Sequence, residues 1–151
     1  MNAPSPINNA SVPDETPVET EVLAPYLMRQ WLLNRRIVVY KVTEATRHAV
    51  DAWIDAVKET RQLWPPDQVY LAIHEFSDVR IMLTPYARTQ SSAIITEGSH
   101  APGYAAIVVR HGVIGQAIQV FLKLQHHQLN ENQVFFSYKE ALNWLKSKIP
   151  G

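Results

Sequence analysis

Two pairs of ionisable residues stand where the sequence predicts that strands end. His74 and Glu75 close one apolar run, and Arg110 and His111 follow the next. General acid–base catalysis needs a base within hydrogen-bond reach of its proton and a suitably tuned pKa. The sequence supplies neither, and no Ser, His and Asp stand in a recognisable nucleophile motif. These pairs therefore predict no catalytic site.

Metal and phosphate motifs are equally weak. His126 and His127 are adjacent, so they would point to different faces of a helix and lack the i, i+4 spacing of a helical metal pair. The chain has no cysteine, which excludes thiolate catalysis and cysteine-based zinc sites. Gly112 and Gly115 lie where a phosphate loop would, but its remaining glycine and its Lys-Ser/Thr are missing, so a tight turn explains them better. We expect no metal and no cofactor.

Composition points to one globular domain. The chain has 151 residues, 46% of them hydrophobic, which suffices for an ordinary core. Fourteen basic residues balance fourteen acidic ones. Binding to nucleic acid needs clustered Lys and Arg, so we expect no such partner. Because no secretory signal and no stretch of about eighteen apolar residues is visible, we expect a cytoplasmic protein without a membrane span.

The composition changes near residue 25. Residues 1–24 contain Pro4, Pro6, Pro13 and Pro17 among polar residues and no aromatic residue. Such a segment buries too little apolar surface to offset its ordering entropy. We therefore predict a flexible tail over residues 1–24 and a single domain over residues 25–151.

The domain begins with two β-rich runs around a short polar break, residues 26–32 and 36–42, which favours an antiparallel hairpin. The first run could instead be a short helix, since Leu27, Trp31 and Asn34 have helical spacing. Helical and strand patterns then alternate to a C-terminal helix. Core strands are predicted at residues 37–42, 69–74, 104–109 and 133–136.

Two helix starts carry capping signals. Thr84 precedes Pro85, and Ser137 precedes Glu140 by three residues. The resulting prediction is an α/β fold: an N-terminal β-hairpin feeding a mixed, mainly parallel central sheet with about four helices.

Of the four tryptophans, Trp53 and Trp144 are expected in the core, and Trp31 and Trp64 are expected to be partly exposed near element ends.

Three stretches together are similar to the STAS family. They are residues 31–42, residues 71–77 followed by 83–86, and residues 134–137 with 140–142 and 144–145. The chain most resembles the stand-alone bacterial branch, the anti-sigma-factor antagonists. The resemblance implies a STAS-like fold and a regulatory module whose serine at a helix start is phosphorylated by a kinase. Thr84 would be the matching position here, but Leu83 replaces the acidic neighbour and Pro85 follows directly, which favours a structural cap.

Ligands of open α/β sheets bind beyond the carboxyl ends of the parallel strands. A candidate binding rim at that edge comprises His74, Glu75, Ser77, Thr84, Arg110 and His111. Alternatively, the strands simply become polar where they reach water. Two functions stay open: a non-enzymatic module that binds a protein partner or a second copy of itself, or a carrier or sensor of a small apolar or anionic ligand between helices and sheet. An enzyme ranks third.

Overall fold

The computed structural model describes residues 17–78, 84–96, 103–123 and 130–150. These residues form six strands and four helices in an α/β arrangement. In chain order the elements are β1 (Glu19–Ala24), β2 (Leu27–Leu32), β3 (Ile37–Val42), α1 (Arg47–Leu63), β4 (Tyr70–Phe76), α2 (Pro85–Thr96), β5 (Gly103–Val109), α3 (Val113–Lys123), β6 (Asn130–Phe135) and α4 (Tyr138–Lys146).

All six strands form one mixed sheet in the order β1-β2-β3-β4-β5-β6. The pairs β1–β2 and β2–β3 are antiparallel, and β3 to β6 are parallel. The predicted hairpin is confirmed as β2 and β3, so the alternative of a short helix at Leu27 is wrong. The four predicted core strands are confirmed with small shifts at their ends.

The predicted boundary of the domain at residue 25 is wrong. Residues 19–24, which we assigned to the flexible tail, form β1 and pair along β2 from Glu19 opposite Trp31 to Ala24 opposite Leu27. The strand buries little, since Val22 and Leu23 are exposed. Its attachment depends on backbone pairing and on contacts with β2 that local composition does not reveal. The earlier part of the predicted tail, residues 1–16, lies outside the described residues.

Helices cover both faces of the sheet. Along β4, Tyr70 and Ala72 face a core shared with α1 and α2, whereas Leu71 and Ile73 face a core shared with α4. This division follows from the two-residue period of a strand. Ile118 of α3 packs beside Phe76 on the face of α1. The sheet is therefore covered by α1, α2 and α3 on one face and by α4 on the other.

Hydroxyl caps begin three of the helices. The side-chain oxygens of Thr46, Thr84 and Ser137 accept hydrogen bonds from the backbone N–H three residues later, at 3.2, 3.1 and 3.3 Å. The caps predicted at Thr84 and Ser137 are thus confirmed. Helix α1 ends at Leu63, before Pro65 and Pro66. No helix in the described part of the chain has the length and apolar character needed to cross a membrane.

Candidate functional site

His74 lies inside the protein and not on a polar rim. Strand β4 continues to Phe76, and the His74 side chain faces α1 with 6% of its surface exposed. Its Nδ1 accepts a hydrogen bond from Trp53 Nε1 at 3.0 Å, and its ring stacks on Tyr40 with centroids 5.2 Å apart. Burial, together with the charge of Arg61, lowers the pKa of His74 to about 3. His74 is therefore a neutral core residue at physiological pH.

Glu75 and Ser77 form a local pair at the end of β4. The Glu75 carboxylate accepts hydrogen bonds from the Ser77 backbone N–H at 3.1 Å and from the Ser77 hydroxyl. Because successive strand residues point to opposite faces, Glu75 faces away from His74. The acid–base pair considered from sequence is thus divided by the sheet, and the two groups cannot share a proton.

Thr84 is held in place by the helix that it caps. Its hydroxyl accepts from Ala87 N–H, and its carbonyl accepts from Arg88 N–H at 3.0 Å. The first turn of α2 is anchored near the start of α1, because the Tyr86 hydroxyl donates to Asp51. The start of α2 therefore lies at the end of the sheet where β3 leads into α1. Leu83, the other residue of the STAS comparison, lies outside the described residues.

Arg110 and His111 stand exposed in the loop after β5. The His111 ring stacks on Phe136 with centroids 4.1 Å apart and planes at 16°. Gly112 has φ +142°, a conformation that side chains rarely adopt, and a Cβ on Gly115 would collide with the Arg110 carbonyl oxygen. Both glycines are therefore required by the tight turn and the close packing of α3.

The sheet brings five of the six candidate residues to one edge. Phe76 pairs with Val109 at the last step of the β4–β5 ladder, so Ser77 and Arg110 leave the sheet side by side. The start of α2 lies at the same end. Glu75, Ser77, Thr84, Arg110 and His111 thus belong to the carboxyl edge, whereas the His74 side chain is buried against α1.

A feature that the sequence analysis missed lies at the opposite, amino edge of the parallel strands. A pocket of about 230 Å³ opens between the end of α1 and the turn that joins β2 to β3. Its lining includes two tryptophans, two arginines, an exposed leucine and an amide: Arg29, Trp31, Arg35, Leu63, Trp64 and Gln68. We call it the tryptophan pocket. Gln68 also lines a neighbouring pocket of about 260 Å³, together with Arg36, Asp67 and Ile149.

Aromatic contacts build the wall of the tryptophan pocket. The Trp31 and Trp64 rings stack with centroids 6.0 Å apart and planes at 24°. The Arg35 guanidinium lies 4.1 Å from the centre of the Trp31 ring. Trp31 is buried, contrary to our expectation, whereas Trp64 is half-buried as expected. The stacked rings and the guanidinium lie side by side along the opening.

The β2–β3 turn that supplies Arg35 has an unusual backbone. Leu33, Asn34 and Arg35 have φ values of 50°, 55° and 64°. Residues other than glycine rarely adopt this left-handed conformation, which is best tolerated by Asn. The turn places Arg35 at the tryptophan pocket and directs the chain to Arg36 at its neighbour. The Asn34 of the polar break was a signal for a turn but not for a pocket.

A partly buried ionic cluster, also missed from sequence, lies behind this wall. The Glu21 carboxylate accepts hydrogen bonds from Arg29 Nε at 2.7 Å, Arg29 Nη2 at 3.1 Å and Trp31 Nε1 at 3.1 Å. Arg29 Nη1 also donates to Thr60 at 3.1 Å. The Arg29 hydrogen bond is the main cause that lowers the pKa of Glu21. The cluster ties β1 to β2 and to α1.

Comparisons with known proteins add no relative. No protein-family model, no curated protein and no solved structure matches this chain. Within the described ranges, no three His, Asp or Glu side chains are grouped so that they could hold a metal ion. His126 and His127 lie outside those ranges.

Proposed function

We propose that this chain is a STAS-like, non-enzymatic binding module that acts through a protein partner at the carboxyl edge of its sheet. One observation carries the proposal. Arg110 and His111 stand exposed at the edge where Ser77 also leaves the sheet, whereas His74, the candidate acid–base group of that edge, is buried and neutral. A surface of this kind offers charge and hydrogen bonds to a macromolecule.

The fold and Thr84 support the STAS-like part of the proposal. Helix α2 begins at Thr84 on the same edge, in the position where the resemblance puts the phosphorylated serine of the antagonists. A helix start favours an added negative charge. A partner that contacts this edge would therefore be sensitive to the state of α2.

A carrier or sensor of a small ligand is the alternative function. The tryptophan pocket and its neighbour measure about 230 and 260 Å³, and both are partly open. Ligand sites are clefts of about 300–1,000 Å³ that enclose most of the ligand surface. Neither of these two pockets reaches that range.

The test is site-specific photo-crosslinking in the native host. A photoreactive residue replaces His111, and the matched control carries it at Val120 of α3, a residue 60% exposed. We expect one adduct of constant mass from position 111, lost when Arg110→Ala is added, and none from position 120. No adduct at position 111, or equal adducts at both positions, would contradict the proposal. A small molecule that co-purifies in native mass spectrometry would favour the carrier.

A further inference from the structure

Strand β1 forms one lateral side of the sheet. Among the described residues it has a neighbour on one side only, β2. The backbone N–H and C=O groups on its outer side form a row that can pair with a further strand, and proteins commonly protect such a row with lysine or proline. Neither residue type occurs between Val18 and Ala24, and Val18 and Val22 are 65% and 72% exposed. The outer side of β1 is therefore open to strand pairing.

The acidic side chains of β1 have partners within the chain. Glu19 pairs with Arg35, and Glu21 pairs with Arg29. Neither carboxylate is left unpaired where a further strand would approach. If that strand were a second β1, the glutamates of the two copies would meet with each charge already compensated by a guanidinium of its own chain.

The sequence along this side reads the same in both directions. Residues 18–22 are Val-Glu-Thr-Glu-Val, with Thr20 at the centre. Two copies aligned antiparallel about a two-fold axis at Thr20 bring Val18 of each copy opposite Val22 of the other, and Thr20 opposite itself. Side chains opposite each other in antiparallel strands have Cβ atoms about 4.5–5.5 Å apart and interact directly. The segment thus has the self-complementarity that a two-fold interface requires.

The alternation of the strand separates the two kinds of pair. Glu21 lies on the face of α1, because its partner Arg29 also donates to Thr60 of that helix at 3.1 Å. Thr20 and Val22 therefore point to the opposite face. Pairing of two β1 strands would cover the exposed valine there without displacing the contacts of Glu21.

We propose that two copies of this chain associate through their β1 strands, antiparallel about a two-fold axis at Thr20, so that one six-stranded sheet continues into the other. Strand pairing over so short a segment buries less than the roughly 1,200 Å² of a standard stable interface, so we expect a weak dimer that depends on concentration. This interface is separate from the partner surface proposed at the carboxyl edge, and its test uses the isolated protein.

The first test uses the pairing of position 18 with position 22. Val18→Lys combined with Val22→Lys brings lysines opposite each other in the dimer, whereas Val18→Lys combined with Val22→Glu brings a lysine opposite a glutamate in the same register. Both valines are exposed in the single chain, so we expect both variants to keep its fold, which circular dichroism checks. Sedimentation equilibrium over a concentration series measures the dissociation constant of the dimer.

We expect the unchanged chain to dimerise and the double-lysine variant to raise the dissociation constant by about ten-fold or more. The lysine–glutamate variant should restore most of the affinity. A monomeric unchanged chain at every concentration would overturn the proposal, since the outer side of β1 would then be free or taken by something other than a second copy. Equal dissociation constants for the unchanged chain and the double-lysine variant, or loss of the dimer in both variants, would also overturn it.

The absence of cysteine allows a second test, of the register itself. Under mild oxidation, Thr20→Cys should give a disulfide-linked dimer, because position 20 meets itself at the axis. Val18→Cys alone should not, because its two copies lie about 13 Å apart along the strands. An equal mixture of Val18→Cys and Val22→Cys chains should form the mixed dimer. Linking of Val18→Cys alone as efficient as that of Thr20→Cys would contradict the two-fold axis at Thr20.

Discussion

At the scale of single residues, His74 has the most altered chemistry. Its ring is enclosed by Tyr40, Trp53 and Phe76, and Trp53 supplies its hydrogen-bond donor. A charged imidazole in this position would lose hydration and gain no acceptor, because Trp53 can only donate. The site therefore selects the neutral imidazole with its proton on Nε2.

This burial makes stability depend on pH. The pKa of His74 is about 3 in the folded protein against an ordinary value of 6.5. The unfolded chain therefore binds the proton first as pH falls. The free energy of unfolding is highest above pH 6.5 and decreases by about 1.4 kcal/mol per pH unit towards pH 3 from this group alone. In His74→Asn, which keeps an acceptor for Trp53, we expect lower stability at pH 7 and a shallower loss between pH 6.5 and pH 4.

Urea unfolding at several pH values measures how steeply the free energy of unfolding changes with pH. The control is His48→Asn, because the His48 side chain is exposed on α1 and its replacement leaves the core intact. We expect this control to keep the slope of the unchanged protein. If His74→Asn also kept it, the neutral state of His74 in the fold would be wrong.

Thr84 supports a second prediction at this scale. Because its hydroxyl satisfies the Ala87 N–H, Thr84→Ala should lower the free energy of unfolding by about 1 kcal/mol. Thr84→Ser keeps the oxygen and should be nearly neutral. Chemical denaturation of the two variants measures the difference. Equal stability of Thr84→Ala and the unchanged protein would remove the structural role of the hydroxyl.

The same residue is the candidate phosphosite. A phosphate on Thr84 would add a charge of about −1.5 to −2 beside backbone N–H groups that favour anions. The structural cap predicts no phosphate on Thr84 in protein from the native cell under several growth conditions. Phosphopeptide mapping decides this, and substantial phosphorylation would make Thr84 a signalling switch.

At the scale of elements, one carboxylate of β1 adds side-chain contacts to its backbone pairing with β2. Glu21 accepts three hydrogen bonds from Arg29 and Trp31, and the Arg29 side chain is only 9% exposed. Glu21→Gln removes the charge and leaves a buried guanidinium poorly paired. We expect a loss of about 1–3 kcal/mol in the free energy of unfolding and faster hydrogen exchange in β1.

The neighbouring Glu19→Gln is the control for Glu21→Gln. Glu19 pairs with Arg35 at the surface, where an ion pair contributes about 0–1 kcal/mol. Because the folded pKa of Glu21 is lowered, its contribution is present above about pH 4.5 and is lost as the pH falls through the folded value. Similar effects of the two substitutions would show that the Glu21–Arg29 cluster does not hold the strand.

At the scale of the whole molecule, β1 is the edge strand of the sheet, so the folded domain includes residues before Pro25. A chain starting at Pro25 would lack this strand and expose the backbone groups of β2 and the guanidinium of Arg29. We expect it to unfold at a lower denaturant concentration than a chain starting at Pro17, which retains β1. Equal midpoints would place the domain boundary at residue 25, as composition alone suggested.

Much of this fold was predictable because its signals are local. Ser137 and Thr84 predict helix starts because each caps a backbone N–H within the first turn. The apolar run from Tyr70 to Ile73 predicts a strand buried on both faces. Strand β1 was missed because it makes few apolar contacts, so its composition resembles that of a flexible tail. It is attached by backbone pairing with β2 and by the contact between Glu21 and Arg29, which lie on different strands. The tryptophan pocket was missed because Trp31 and Trp64 meet only when α1 returns to the sheet.

The sequence by itself determined the α/β class, the parallel strands and the caps, because periodicity and capping act between neighbours along the chain. The tertiary structure decided which polar groups remain on the surface. His74 became a neutral core residue because β4 extends two residues beyond it and α1 lies over it, while Arg110 and His111 stayed in water. Burial and pKa depend on atoms distant in sequence, so the same residue types had to be placed before their chemistry was defined.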